Sequence, residues 1–410
     1  MSRRTIYILI IALIIIGLGA WWFLSRENSA PATSQPTSTG QNLFPYGQNA
    51  TSTSGNTSTN GNQGTVFLNN NGSSTTPPAL IHITTTPVSG YVFLPESASS
   101  SSATIRYVDR ATGRVYDYSF DTNVTTEVTN TTVPQVYQAY FSNTGTRVFL
   151  QTLDVSGDIE TMSAAVNATT TGPVALGDVR FLPKNIISLS PNDLSLFYLI
   201  STTNGSMGYI SAIDGTKPSE VFGSALGELI SRWQSTNVTL QTKASASADG
   251  YFFGLNAKTG GLTTIVHNVA GLTALENNSG TFVFGSASEN GTLESFIYNE
   301  KENSMKTISS LGTLADKCVW SAENPDTVFC AVPTTVAGTL PDDWYQGNIF
   351  LPSDNVWTIN ADTGVANVVD FLSERNQNID VENPVLSGNE KWFSFMDKED
   401  LTLWALRIAQ

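Results

Sequence analysis

Two groups of chemically capable side chains lie close together near the C-terminal end of this chain. The first is its cysteine pair, Cys318 and Cys330, the only two cysteines present. They end the run Cys318-Val319-Trp320-Ser321-Ala322-Glu323-Asn324-Pro325-Asp326-Thr327-Val328-Phe329-Cys330, two apolar stretches around a polar turn, and they are equidistant from Asn324. On an antiparallel hairpin they stand opposite one another, and a non-hydrogen-bonded pair brings Cα atoms close enough for a bridge. An oxidising exterior would let the disulfide form. Closing so short a loop stabilises by about 2–3 kcal/mol in the chain-entropy picture. Two buried free thiols are the competing reading.

The second group is Pro341-Asp342-Asp343-Trp344-Tyr345-Gln346-Gly347, which joins two acids to two large aromatics. Trp344 and Tyr345 are amphipathic and suit a ligand or partner contact, with Asp342 and Asp343 beside them. The equally weighted alternative is a plug, with both rings packed over the mouth of a channel. Glycoside hydrolysis needs two carboxylates at a set separation, and adjacency in sequence does not supply that. The S-x-D-x-G-x-T-W box of sialidases is absent. Asp109-Arg110-Ala111-Thr112-Gly113 and Asp362-Thr363-Gly364 lack the trailing Trp of a quinone-enzyme repeat. There is no G-x-S-x-G elbow. With two histidines, His82 and His267, far apart in sequence, neither a metal site nor histidine acid–base catalysis is expected, and no cofactor is called for. No residue is singled out as catalytic.

What positions these groups is a repeat. Phe141, Leu189, Trp233, Leu275, Trp320 and Leu386 each precede a small polar turn, at spacings of 48, 44, 42, 45 and 66 residues. A period of about 40–50 residues built of short strands marks a β-propeller with one four-stranded blade per repeat. Each anchor ends strand a, and turns such as Ser142-Asn143-Thr144-Gly145, Ser190-Pro191-Asn192-Asp193 and Ser387-Gly388-Asn389 lead to strand b. Val148-Phe149-Leu150, Leu196-Phe197-Tyr198-Leu199, Phe282-Val283-Phe284 and Val328-Phe329-Cys330 read as strand b. Gly208 to Ile213 and Val356 to Ile359 read as strand c, followed by tight turns at Asp214-Gly215-Thr216, Asn256 to Gly260 and Asn360 to Gly364. The 66-residue gap holds one repeat plus an insertion, Pro333 to Asp354, between strands b and c. Such loops project on the face of the blade-to-blade connections, and long loops in compact domains are often functional.

An earlier repeat fits at Val92-Phe93-Leu94, Ile105 to Val108 and Val115 to Tyr118, which makes seven blades. Six or eight stay open, because that first repeat is weakly marked. The last repeat offers Val385-Leu386, Trp392 to Phe395 and Leu401 to Leu406, then the chain reaches Gln410 with no strand d. The spare segment Leu80-Ile81-His82-Ile83-Thr84 is expected to complete that blade and remove an open edge. Deleting 79–86 should then lower the melting temperature sharply.

The turn pattern resembles the WD40-like (PD40) propeller repeat of the TolB family of periplasmic proteins, in which an apolar strand, S-P-D-G, a second apolar strand and a D-x-x-G turn follow one another. Ser190-Pro191-Asn192-Asp193 is the nearest S-P-D-G, and most other repeats keep only the Ser or the Gly. The resemblance covers residues 80–408 and implies an architecture, without the α/β domain that precedes the propeller in that family. The layout also resembles single-span, stalked propeller proteins of small-genome bacteria, a resemblance that implies no activity.

Ahead of the repeats, Thr5 to Leu24 is an uninterrupted uncharged run long enough to span a bilayer as a helix. Arg3 and Arg4 precede it, and Trp21 and Trp22 sit near its far end. Positive-inside bias puts the N-terminus in the cytoplasm and the rest outside. The run exceeds the 7–15 apolar residues of a signal peptide, although Ala30-Pro31-Ala32 would suit cleavage. From Glu27 to Pro78 the composition turns to Ser, Thr, Asn, Gln, Gly and Pro, which cannot bury enough apolar surface to offset ordering entropy. The division expected is a cytoplasmic stub at 1–4, a transmembrane helix at 5–24, a disordered stalk at 25–78 and an all-β, seven-bladed propeller at 79–410. Leu43-Phe44 and Val66-Phe67-Leu68 are apolar islands in that stalk.

The formal charge is −15, from 20 basic and 35 acidic residues, which disfavours a phosphate-backbone partner. The function expected is therefore a single-pass, membrane-anchored extracytoplasmic module that binds or scaffolds, with an envelope protein or glycan as partner and no nucleic acid. The alternative is an envelope hydrolase or lyase using carboxylates on the channel face.

Overall fold

Alternating apolar positions in each repeat give strands that hide one face against the preceding blade and the other against the next. The computed structural model describes residues 80–408 apart from 97–101, 235–236, 290, 309–310 and 376–377. The expected stub, membrane helix and stalk, with the islands Leu43-Phe44 and Val66-Phe67-Leu68, lie outside the described residues. Among the described residues no helix is long and apolar enough to cross a membrane.

The described chain forms seven antiparallel four-stranded sheets, the seven blades expected. Blades 1, 2 and 3 begin with strands a at Val88–Phe93, Gln138–Phe141 and Ile186–Pro191. Blade 4 is Leu229–Gln234, Asn237–Thr242, Asp249–Leu255 and Leu262–Ala270. Blade 5 is Thr273–Glu276, Phe282–Glu289, Thr292–Asn299 and Ser304–Ile308. Blade 6 is Cys318–Trp320, Thr327–Pro333, Asp354–Asn360 and Ala366–Asp370. All six anchors fall on strands a, and these strands meet around the axis. Trp320 Nε1 donates to Leu275 O at 2.8 Å, linking two anchors, and Ser188 and Ser231 hydroxyls meet at 2.9 Å. Gly90 is needed where blade 1 nears blade 2, since a Cβ there would lie 2.1 Å from Ala139 O.

Blade 7 takes strands a to c from Val381–Leu386, Trp392–Asp397 and Leu403–Arg407, and strand d from Leu80–His82 at the start of the described chain. Leu80 pairs with Leu406, Ile81 with Ala405 and His82 with Trp404, whose rings stack 3.9 Å apart. The spare segment thus closes the ring as expected.

The core is distributed rather than central. Each blade junction holds its own cluster; Phe252 and Val266 of blade 4 meet Ala274, Val283 and Phe296 of blade 5, for example. Antiparallel order puts b–c loops and blade-to-blade connectors on one face, here the insertion face, and a–b and c–d turns on the opposite face.

Candidate functional site

The insertion is the main departure from the repeat. Pro333 and Asp354, its expected ends, pair with each other across strands b and c of blade 6, so the loop proper is 334–353. It contains one short helix, Asp342–Tyr345. Trp344 is 1 % exposed and packs with Leu293, Leu314, Leu340 and Leu351 in a cluster separate from the blade junctions. Asp343 closes the turn before the helix, its Oδ2 accepting from Thr339 N at 2.7 Å. Asp342 Oδ2 accepts from Ala246 N at 2.7 Å, in the b–c loop of blade 4. The insertion therefore passes over blade 5 and ties down two blades away from its origin. The outward apolar side chains of the loop are Val336 and Phe350.

Beneath Trp344 lies a buried charged cluster. Lys317 sits at the end of a 3-10 turn, Ala315–Lys317, that leads into blade 6. Its Nζ donates to Asp354 Oδ2 at 2.7 Å, to Asp380 Oδ1 and to Val381 O at 3.1 Å. The Lys317 and Asp354 side chains are 0 % exposed and that of Asp380 is 1 %. Asp380 Oδ2 also accepts from Trp344 Nε1 at 2.9 Å and from Leu351 N at 2.7 Å, both in the insertion. Val381 N donates to Asp354 Oδ2 at 2.6 Å, while Asp354 Oδ1 is buried with no partner among the described residues. Burial pushes the Asp354 carboxyl up to about 6, against the pull of Lys317. Burial presses Lys317 towards the neutral amine, but Asp354 and Asp380 outweigh it and hold its pKa above the ordinary lysine value. Lys398, paired with Glu382 at 3.0 Å, lies over the Trp344 ring at 4.1 Å.

The channel wall below the insertion encloses a cavity of about 360 Å³ between strands a of blades 4 to 7, lined by Arg232, Gln234, Glu276, Asn278, Asp316 and Asn383 among others. At its insertion end Asp316 accepts from Arg232 Nη2 at 3.1 Å and from the Tyr345 hydroxyl at 2.7 Å. Burial, then the Asp316 charge, puts the Tyr345 hydroxyl well above the usual phenol pKa. At the other end Glu276 terminates strand a of blade 5, and its carboxyl faces that of Glu300 in the c–d turn. Burial and that contact raise Glu276 to about 8. Glu300 is also raised, by burial, and its Oε1 is buried without a hydrogen-bond partner among the described residues.

A second cavity, of about 440 Å³, opens where the insertion meets blades 3 and 4. Ile187, Leu229, Ile230 and the Tyr345 ring give it an apolar lining, and Glu228 and Lys243, 3.4 Å apart, add charge.

Of the four insertion residues singled out from sequence, Tyr345 lines one of these two cavities and the other three line neither. Trp344 is interior, and Asp342 and Asp343 make intramolecular hydrogen bonds. Cys318 and Cys330 face each other in register, with Cα atoms 4.1 Å apart, and are joined as a disulfide. Lys317, Asp354, Asp380, Glu276, Glu300 and Arg232 carry no signal in the sequence, because each meets its partners only across a folded blade or between blades. Among the described residues no group of three or more His, Cys, Asp or Glu is placed to hold a metal ion.

The sequence matches no protein-family model and no curated protein. Solved structures do match. The GH74 xyloglucanase from Xanthomonas campestris aligns with a TM-score of 0.55 at 10 % identity, over 82 % of this chain and 54 % of that one, so this chain spans about half its length. The oligogalacturonate lyase from Vibrio parahaemolyticus aligns with a TM-score of 0.45 at 9 % identity, over 82 % of this chain and 99 % of that one. At these identities the likeness concerns the fold alone. The TolB-like reading is accordingly supported only as far as the propeller.

Proposed function

We propose that this chain is a membrane-tethered, extracytoplasmic binding or scaffolding module whose contact surface is the insertion face. The N-terminal apolar run would anchor it in the cell membrane with the propeller outside. An envelope protein or a glycan is the partner, and nucleic acid is not. The observation that carries the reading is the cavity beside Tyr345. It is largely apolar, has charge at its edge, and is lined on the insertion side by Tyr345. Such concave, largely apolar sites with a few polar groups are where ligands and anchor side chains bind. Ile230→Lys and Lys243→Glu change the charge at that cavity while leaving the buried core residue Leu229 and the Lys317 cluster in place. Cross-linking of envelope components to the tagged full-length chain in intact cells should fall in both variants. Undiminished cross-linking would remove this cavity from the reading.

One observation favours the alternative of an envelope hydrolase or lyase. Glu276 lines the channel cavity and holds its proton up to about pH 8, as a general acid must. If that reading holds, turnover of an envelope polysaccharide should vanish in Glu276→Gln while the fold survives.

A further inference from the structure

The cluster of Lys317, Asp354 and Asp380 has more order than an ion pair requires. The amine touches one oxygen of Asp380, Oδ1. The other oxygen, Oδ2, receives two N–H groups from the insertion, Trp344 Nε1 at 2.9 Å and Leu351 N at 2.7 Å. Two N–H donors converging on one carboxyl oxygen would stabilise negative charge developing there during attack on the carbon. The second carboxylate, Asp354, is 2.7 Å from the same amine and keeps one oxygen without a partner. Water has no access, since the three side chains are 0–1 % exposed.

We propose that Lys317 and Asp380 condense into an intramolecular amide between Nζ and Cγ, with Asp354 as the proton carrier. A proton first passes from the ammonium to a neighbouring carboxylate, leaving a neutral amine. Burial lowers the cost of this transfer by removing the solvation that favours the charged forms in water, while the two carboxylates keep the ammonium as the resting form. Nζ attacks Cγ, and the developing charge falls on Oδ2 under Trp344 Nε1 and Leu351 N. Asp354 takes the surplus proton from Nζ and delivers it to Oδ1. One C–N bond forms and the Cγ–Oδ1 bond breaks. Two of the three ammonium protons leave with Oδ1 as water, and the third stays on the amide. Nothing is oxidised or reduced and no co-reactant enters. Fixing both groups in contact replaces the encounter that makes such condensations slow in solution.

The product fits the same site. The amide oxygen keeps the two donors from the insertion, and the amide N–H faces Asp354. Two buried charges, those of Lys317 and Asp380, are exchanged for one neutral group, and Asp354, whose carboxyl burial raises to about 6, keeps the Val381 N–H. The link would join the entrance of blade 6 to the connector into blade 7, directly under the insertion, so the loop that carries Trp344 would help to make its own fastening.

Peptide mapping tests this on the full-length chain, unfolded, reduced and digested with trypsin. Cleavage after Lys317 should fail, peptide 307–317 should be missing, and the fragment bearing Lys317 should be joined to 376–391 at the summed mass less one water. Complete recovery of 307–317 and of linear 376–391 at their sequence masses overturns the proposal. The wild-type digest needs no variant, so its answer does not depend on how a variant folds. In Asp354→Asn the linked fragment should fall at least tenfold relative to wild type; an unchanged yield overturns the part given to Asp354.

Discussion

The two ends of the channel solve one problem in opposite ways. Each buries carboxyl groups that water would otherwise solvate. At the insertion end, Asp354 and Asp380 are held by the Lys317 amine and by three N–H donors, Trp344 Nε1, Leu351 N and Val381 N. At the opposite end Glu276 and Glu300 face each other with no cation beside them among the described residues, and burial favours their protonated forms. The difference lies in what is lost when the surroundings change. An amine cannot leave its site, whereas a proton can.

The largest effect expected is at the insertion end. Lys317→Ala removes the amine, whether it stands as cation or as amide, and leaves two carboxylates facing each other in a dry site. Removing one partner of a buried ion pair costs about 3–5 kcal/mol, so the denaturant midpoint should drop steeply at neutral pH. Part of the loss should return on acidification, as the stranded carboxyls take up protons. A loss below about 1 kcal/mol, in the range of an exposed pair, would mean that the cluster is far less dry than its geometry implies and would erase the contrast with Glu276.

A smaller effect, of defined sign, is expected at the other end. Glu276 is raised from 4.5 to about 8, so the folded chain holds a proton that the unfolded chain has released. Stability contributed in this way is complete below the unfolded value and declines as pH rises from about 4.5 to about 8. Asp354, raised from 3.8 to about 6, gives a slope of the same sign that ends below neutrality. Between pH 6.5 and 8 the decline should therefore belong to the Glu276 and Glu300 pair. Glu276→Gln should flatten it and make the variant more stable than wild type at pH 9 by about 1–3 kcal/mol. Melting curves across pH 5–9 measure this, and parallel profiles would show that the pair holds no buried proton.

How far these sites were legible in the sequence follows from the range of their contacts. The repeat was readable because an apolar anchor before a turn is a local pattern, and each blade reports it independently at Phe141, Leu189, Trp233, Leu275, Trp320 and Leu386. The closing strand was readable because the last repeat lacked a fourth strand and Leu80 to Thr84 was spare. Cys318 and Cys330 were readable because one hairpin sets their register. Glu276 and Glu300 sit on the same blade but 24 positions apart, and nothing in Leu275-Glu276-Asn277 says that the carboxyl turns inward. Lys317, Asp354 and Asp380 come from three connections brought together by the ring. Trp344 stands out by its type, yet that type suits an outward anchor and an inward plug equally; only the donors needed by Asp380 decide where the ring goes.

The smallest effect tests whether the insertion end is one unit or two. Tyr345 reaches past the Lys317 cluster to Asp316, which also holds Arg232 at the channel wall. Asp316 keeps Arg232 when the hydroxyl is removed, and Arg232 is itself about one-third exposed, so water can replace the lost donor. Tyr345→Phe should thus cost about 1 kcal/mol, the usual net worth of one hydrogen bond, with an unchanged denaturant slope. The ring that lines the apolar cavity remains, so binding there should persist. A loss as large as that in Lys317→Ala would mean that Asp316, not Lys317, anchors the insertion, and the two ends of the channel would then differ in position but not in kind.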